Sequence, residues 1–396
     1  MLRPLIAPKA QALTGVDGAK LPLEWLSFYV HIPYCIKRCG YCDFNTYTPS
    51  ELQDGATLEI VSNDYIDAVL RELESAPKDQ VPTIFFGGGT PSLLPAHDLG
   101  RVITAIKARN GLTADCEITL EANPDSVTQE KLSAYLAAGF NRISFGMQSA
   151  QPHVLAVLDR THNPANVKRA VDMARAAGFE SISVDLIYGT PGESLEDWRS
   201  TVTEALSLDV DHISAYALIV ETGTKLAAQI KRGELTMPND DLMADMYLLV
   251  DQMCNDAGLN WYELSNWAKP GKECLHNIAY WKSANWWGLG PGAHSHVDAK
   301  RFWNVKHPTA YKQKLFAGES PIADSEDLTA EQLRDESIML AIRMRTGLEL
   351  SLLTESAKEN LEAYKSSGHL EIVGDAIQLT AQGRLIADRL VREALA

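Results

Sequence analysis

Cys35-Ile36-Lys37-Arg38-Cys39-Gly40-Tyr41-Cys42 sets three cysteines within eight residues, spaced C-x3-C-x2-C, directly after the apolar run Leu26 to Ile32. The run reads as a strand and the cysteines as the loop beyond its carboxyl end, where parallel βα architectures build their sites. The spacing lets one loop wrap one inorganic centre. Three thiolates suit an iron–sulfur cube and leave one iron free of protein, because thiolate is the ligand such clusters use. An open metal position is where a small molecule binds and reacts. A structural zinc site is the competing reading, with His31 as a fourth ligand, although no second CxxC or CxxH pair follows at zinc-finger spacing. Cysteines of odd number in one loop, with no apolar h-region near the N-terminus, argue against disulfides and a signal peptide. Cys116, Cys254 and Cys274 are scattered and read as buried thiols.

Outward from that loop, strands and helices alternate. Leu26–Ile32, Thr83–Phe86, Glu117–Glu121, Arg142–Phe145, Ser181–Ile187 and His212–Leu218 read as strands. Leu58–Leu73, Leu99–Ala108, Glu130–Ala138, Asn166–Ala177 and Leu195–Leu206 read as helices, and Gly139 and Gly178 stop two of them. Six strands joined by helical crossovers imply a parallel sheet covered by helices. Six βα units are too few for an eight-stranded barrel, so the expectation is α/β, a partial (β/α)6 TIM-like barrel. Polar or small residues close each strand: the cysteine loop, Gly87-Gly88-Gly89-Thr90-Pro91, Glu121 with Asn123, Gln148, Asp185 and Tyr216. Their convergence on one rim predicts a site. The glycine run matches neither G-x-G-x-x-G nor a P-loop, so a nucleotide phosphate site is disfavoured. Asp185 sits between Val184 and Leu186, where a lone carboxylate is costly without a partner.

The 396 residues carry a net charge of −16, which argues against nucleic acid as a partner. No apolar run approaches the length of a membrane span, so a cytoplasmic location is expected.

C-x3-C-x2-C followed by an aromatic residue resembles the signature of the radical S-adenosylmethionine (SAM) superfamily. Tyr29-Val30-His31-Ile32-Pro33, Gly87-Gly88-Gly89-Thr90-Pro91, Glu121-Ala122-Asn123-Pro124, Arg142 to Ser149 and Asp185-Leu186-Ile187-Tyr188-Gly189 are similar to segments of its HemN/HemW branch. The resemblance implies a 4Fe-4S cluster on Cys35, Cys39 and Cys42, with the amino and carboxylate groups of SAM on the fourth iron. It implies that an electron from the cluster cleaves SAM to methionine and a 5′-deoxyadenosyl radical. It places Tyr29, Gly87, Gly88, Thr90, Glu121, Gln148, Arg160 and Asp185 around SAM and Tyr41 beside its adenine. The branch holds heme chaperones and oxygen-independent coproporphyrinogen III dehydrogenases of porphyrin biosynthesis. The latter carry a further cysteine two positions after the third; here that position is Phe44, which agrees with the chaperones. Such a chaperone would pass heme to acceptor proteins, respiratory or membrane-associated ones among them. It would take electrons from a donor such as flavodoxin or ferredoxin.

Cys274-Leu275-His276-Asn277-Ile278-Ala279-Tyr280-Trp281 resembles the HNxxYW segment that the branch associates with heme, which makes His276, Asn277 and Tyr280 heme-binding candidates. A histidine among aromatics suits an iron porphyrin. Trp261, Tyr262, Trp267, Tyr280, Trp281, Trp286 and Trp287 would supply flat walls, or else pack the open side of the barrel. His294 and His296 are rival ligands.

After residue 325 the texture changes. Leu328–Arg345 and Leu352–Ser366 read as helices, Leu370–Val373 and Ala376–Leu379 as a hairpin about Gly374-Asp375, and Ala381–Leu395 as a last helix. The order resembles a winged helix, with a covering or docking role expected because basic excess is small. The expected divisions are an arm over 1–24, the radical SAM core over 25–235, a connecting region over 236–324 and the winged-helix-like unit over 325–396.

Overall fold

The computed structural model describes residues 13–14, 20–21, 26–160 and 162–396. Most of the expected N-terminal arm lies outside the described residues; within it, Leu13–Thr14 and Lys20–Leu21 pair antiparallel.

The six expected strands are present: β1 (Leu26–Ile32), β2 (Val81–Gly88), β3 (Leu112–Ala122), β4 (Arg142–Gln148), β5 (Ser181–Tyr188) and β6 (His212–Ala217). They pair in sequence order, all parallel. The crossovers carry α1 (Tyr65–Leu73), α2 (Ala96–Asn110), α3 (Gln129–Ala137), α4 (Pro164–Ala177) and α5 (Leu195–Ser207). The helix expected over 58–73 is two pieces, because Asp64 takes φ 58° between Leu58–Ser62 and α1. Ser194 opens α5 with a capping box on Asp197, and Gly178 closes α4 at φ 108°, a conformation glycine adopts without a side-chain clash.

Side chains along each strand alternate between two environments. Phe28 and Val30 of β1, Ile84 and Phe86 of β2, Ile118 and Leu120 of β3, and Ile143 and Phe145 of β4 are buried in the apolar core shared with the helices. The opposite parity holds Tyr29, Thr119, Glu121, Ser144, Asp185 and Ser214, which line an internal cavity. The strands are therefore apolar on the helix side and polar toward the barrel axis.

The chain from 236 to 324 does more than connect. After α6 (Asp240–Asp256), β7 (Asn260–Glu263) and β8 (Asn266–Ala268) extend the sheet antiparallel from β6. The short helix α7 (Leu275–Trp281) follows. Then β9 (Asn285–Leu289) joins parallel to the free side of β1, and β10 (His294–Val297), β11 (Lys300–Asn304) and β12 (Ile322–Asp327) continue antiparallel. The described residues thus form one twelve-stranded sheet, ordered β12-β11-β10-β9-β1-β2-β3-β4-β5-β6-β8-β7. The parallel run has seven strands rather than six.

The C-terminal part has its own small core. Here α8 (Ala330–Ala341) and α9 (Glu355–Ser366) precede the hairpin of β13 (Leu370–Val373) and β14 (Ala376–Leu379), whose bounds are those read from sequence. Leu348–Glu349 adds a third strand beside β14. The last helix is two pieces, Ala381–Arg384 and α10 (Ala387–Leu395). No helix among the described residues is long and apolar enough to cross a membrane.

Candidate functional site

A cavity of about 810 Å³ runs along the barrel axis. Cys35, Cys39 and Cys42 line it at the carboxyl ends of the strands, and His276, Asn277 and Tyr280 line it at the other end. Thr83, the partner of His276, and Gly88, beside the cysteine loop, are five residues apart on β2, roughly 16 Å along the strand.

The cysteine loop is pinned at its start and turned back on itself at its end. The Cys35 amide donates to the Tyr47 carbonyl at 3.0 Å, and the Cys42 amide to the Cys39 carbonyl at 3.2 Å. Thr90 Oγ1 donates to Cys35 Sγ at 3.8 Å and Arg160 Nη1 to Cys39 Sγ at 3.6 Å. Burial pushes the Cys35 thiol up to about 11 and raises Cys42. The loop therefore holds three soft donors with a hydroxyl and a guanidinium turned toward them. That donor set fits an iron–sulfur cluster. Among the described residues, no three His, Cys, Asp or Glu side chains close around a single-ion position. His31, the possible fourth zinc ligand, has both ring nitrogens engaged, Nδ1 with Tyr29 Oη at 3.0 Å and Nε2 with the Asn45 carbonyl at 2.9 Å.

Below the loop, the strand ends bring together the residues read from sequence. Gly88 takes φ 109° and donates its amide to Glu121 Oε2 at 3.1 Å. Burial, then the charge of Asp185, pushes Glu121 up to about 8. Asp185 accepts from Ser144 Oγ at 2.9 Å, and burial raises it against that hydrogen bond. Arg160 Nη2 donates to the Gly146 carbonyl at 2.8 Å. Gln148 ends β4 at φ 63°, a strained conformation for a side-chain-bearing residue and one that aims it at the cavity. Tyr29, Tyr41 and Thr90 also line the cavity.

Gly87 does not. A Cβ there would lie 2.9 Å from the Phe85 ring and 3.1 Å from Glu121 Oε2, so its bareness makes room for neighbours rather than for a ligand.

At the opposite end, α7 is held by Glu117. The Leu275 and His276 amides each donate to its carboxylate at 3.1 Å, and Cys274 Sγ donates to it at 3.5 Å. Arg142 Nη1 lies 3.7 Å from the same carboxylate. Asn277 Nδ2 reaches Tyr262 Oη at 3.2 Å and Glu263 Oε1 at 2.9 Å. His276 is buried, and burial lowers it to about 3, so the ring is neutral.

The tryptophans are not cavity walls. Trp267 is fully buried and donates Nε1 to Asp251 at 2.9 Å; Trp287 packs on Phe302; Trp261 lies under Arg384. Trp281 and Trp286 also stay off the cavity, and only Tyr262 and Tyr280 of the expected seven aromatics line it. His294 is exposed and stacked on Trp303, and His296 packs on Trp286; neither reaches the cavity. Sequence reading passed over Thr119, Arg142, Ser183, His212 and Ser214, which also line it. Their signal was the two-residue period that puts them on the same parity as Glu121, Ser144 and Asp185.

Residues 29–205 match the radical SAM superfamily. The chain is 46% identical over 391 residues to a protein of Mycobacterium tuberculosis named heme chaperone HemW, covering 97% of this chain and 99% of that one. A protein of the same name from Escherichia coli is 33% identical, covering 94% and 98%. The one from Bacillus subtilis is 32% identical, covering 92% and 97%. Among solved structures, coproporphyrinogen III oxidase HemN from Escherichia coli superposes with a TM-score of 0.80 at 23% identity, covering 93% of this chain and 90% of that one. That likeness bears on the fold, and it supports the partial barrel.

Proposed function

Since this chain belongs to the HemW family of the radical SAM superfamily, we propose that it binds a 4Fe-4S cluster and SAM at the rim of its barrel, binds heme, and passes the heme to acceptor proteins. One observation carries the reading. The cysteine loop and the 274–281 segment open onto the same cavity from its two ends.

Cys35, Cys39 and Cys42 would hold the cluster. Tyr29, Tyr41, Gly88, Thr90, Glu121, Gln148, Arg160 and Asp185 would surround SAM. When bound, the cluster supplies the electron and the open iron position that radical SAM chemistry needs. The chain's own contribution is electrostatic and steric. Arg160 and Thr90 offset negative charge on the sulfurs. Glu121 and Asp185 present two carboxyl groups to a cationic ligand. The polar inner faces of β3 to β6 give that ligand hydrogen-bond partners and hold it away from bulk water.

Heme would bind at His276, Asn277 and Tyr280. A respiratory or membrane-associated acceptor, an electron donor of the flavodoxin or ferredoxin kind, and a cytoplasmic location belong to the same proposal. Phe44 stands 65% exposed at the mouth, at the position where the dehydrogenases of this branch carry a further cysteine.

Anaerobically reconstituted protein tests the reading. Wild type is expected to take up iron and sulfide, Cys39→Ser to take up neither, and hemin to bind with a loss on His276→Ala. Decarboxylation of coproporphyrinogen in the presence of SAM and a reductant would replace the chaperone reading with an enzymatic one.

A further inference from the structure

The ring of His276 sits at the end of a directed hydrogen-bond chain. Ser27 on β1 and Thr83 on β2 face one another, both buried. Thr83 Oγ1 donates to Ser27 Oγ at 2.9 Å. A hydroxyl has one proton to give. The second contact of Thr83 Oγ1, to His276 Nδ1 at 2.7 Å, is therefore one in which the threonine accepts and the ring nitrogen carries the hydrogen. A neutral imidazole with hydrogen on Nδ1 has its lone pair on Nε2. Tyr280 Oη lies 3.0 Å from Nε2 and must then be the donor. Phe85, stacked on the ring at a centroid distance of 5.1 Å, and Tyr280, edge-on at 4.8 Å, fix its plane.

We infer that Thr83 is a positioning residue that locks His276 as its Nδ1–H tautomer, and that the Tyr280 hydroxyl is a latch on the Nε2 lone pair that an iron porphyrin would use. This deepens, and rests on, the proposal that heme binds at the 274–281 segment. His276 Nε2 would hold the iron of a bound heme, exchanging the Tyr280 O–H···N hydrogen bond for an Fe–N bond. No proton would leave the ring, because the hydrogen stays on Nδ1, donated to Thr83 Oγ1. The arrangement is that of metal-ligating histidines generally, whose second nitrogen donates to a fixed acceptor and sets orientation and basicity. Tyr280 is half-buried and borders the cavity, with Trp286 edge-on to its ring at 4.9 Å.

The test has two arms. In the apo protein labelled with 15N-histidine, the His276 ring signals, assigned by their loss in His276→Gln, should show hydrogen on Nδ1 and a bare Nε2. Thr83→Ser should keep that pattern, and Thr83→Val should let the ring exchange between tautomers. Hydrogen on Nε2 in wild type overturns the inference with no heme involved. In hemin titrations, Tyr280→Phe should bind about fivefold more tightly, the equivalent of one net hydrogen bond no longer broken. Binding equal to or weaker than wild type overturns the latch. His276→Gln binding hemin with the wild-type affinity and spectrum would instead sink the heme reading of this segment, and the tautomer measured in the apo protein would stand apart from that failure.

Discussion

Arg384 and Asp251 form a two-point ion pair, Nη1 to Oδ1 at 2.8 Å and Nη2 to Oδ2 at 2.6 Å, buried where the C-terminal helices meet α6. Trp267 Nε1 donates to the same carboxylate at 2.9 Å, and the guanidinium lies 4.3 Å over the Trp261 ring. Removing one member strands the other charge away from water. Arg384→Ala is expected to cost about 3 to 5 kcal/mol, and replacing both residues by apolar side chains of similar size far less. Thermal midpoints of the single and paired variants check this; a single variant as stable as wild type would contradict it.

A second buried carboxylate is set against its own charge. Glu72 on α1 accepts from the Gly290 amide at 2.8 Å, Asn304 Nδ2 at 2.6 Å and the Tyr311 hydroxyl, tying the 290–311 segment to the barrel. Burial nevertheless pushes it up to about 7. A carboxyl group raised on folding stabilises the fold below its unfolded value, near 4.5, and that stabilisation is lost as pH climbs to about 7. Relative to Glu72→Gln, wild type should lose on the order of 3 kcal/mol across that window. Parallel denaturation curves at pH 5 and pH 7.5 measure it; a constant difference would mean that Glu72 stays ionised throughout.

Gly88→Ala attacks the strand end beside the cysteine loop. At φ 109° a side chain is strained, and the added Cβ would stand 2.5 Å from the His31 ring, itself held by hydrogen bonds from both nitrogens. A loss on the order of 2 kcal/mol is expected. Because the Gly88 amide also anchors Glu121, SAM affinity should fall more than hemin affinity. Equal losses for both ligands would count against separate ends of the cavity.

Much of this was legible in the chain. The bounds of β1 and of the 370–379 hairpin came directly from apolar runs flanked by turn residues, and the strand-end polar residues met on one rim because parallel βα topology leaves them nowhere else to go. Three features had no local signal. The parallel strand β9 begins Asn285-Trp286-Trp287, with no alternation to mark it, and pairs with a strand 259 residues earlier. The tryptophans looked like ligand walls by composition, yet Trp267 is buried against Tyr247 of α6 and Trp287 against Phe302 of β11, a choice set by tertiary packing. The contact of His276 with Thr83 spans 193 residues and follows from Glu117 holding α7 against the start of β2, a placement that single-sequence periodicity does not carry.

Glu121 yields the last prediction. Its carboxyl group is pushed up to about 8 by burial and by Asp185, so near pH 7 it holds a proton more often than not. A cationic ligand close by favours the charged form and pulls that value down. Binding of SAM, with its sulfonium and ammonium groups, should therefore release a proton, and its affinity should rise as pH increases from about 6 toward 8. Calorimetric titrations in two buffers of different ionisation enthalpy count the proton directly. Glu121→Gln removes the titrating group and should flatten the pH profile while weakening binding. If the profile of this variant kept the wild-type slope, the proton would have to come from a neighbour such as Asp185, and the arrangement of charges at the strand ends would need to be redrawn around it.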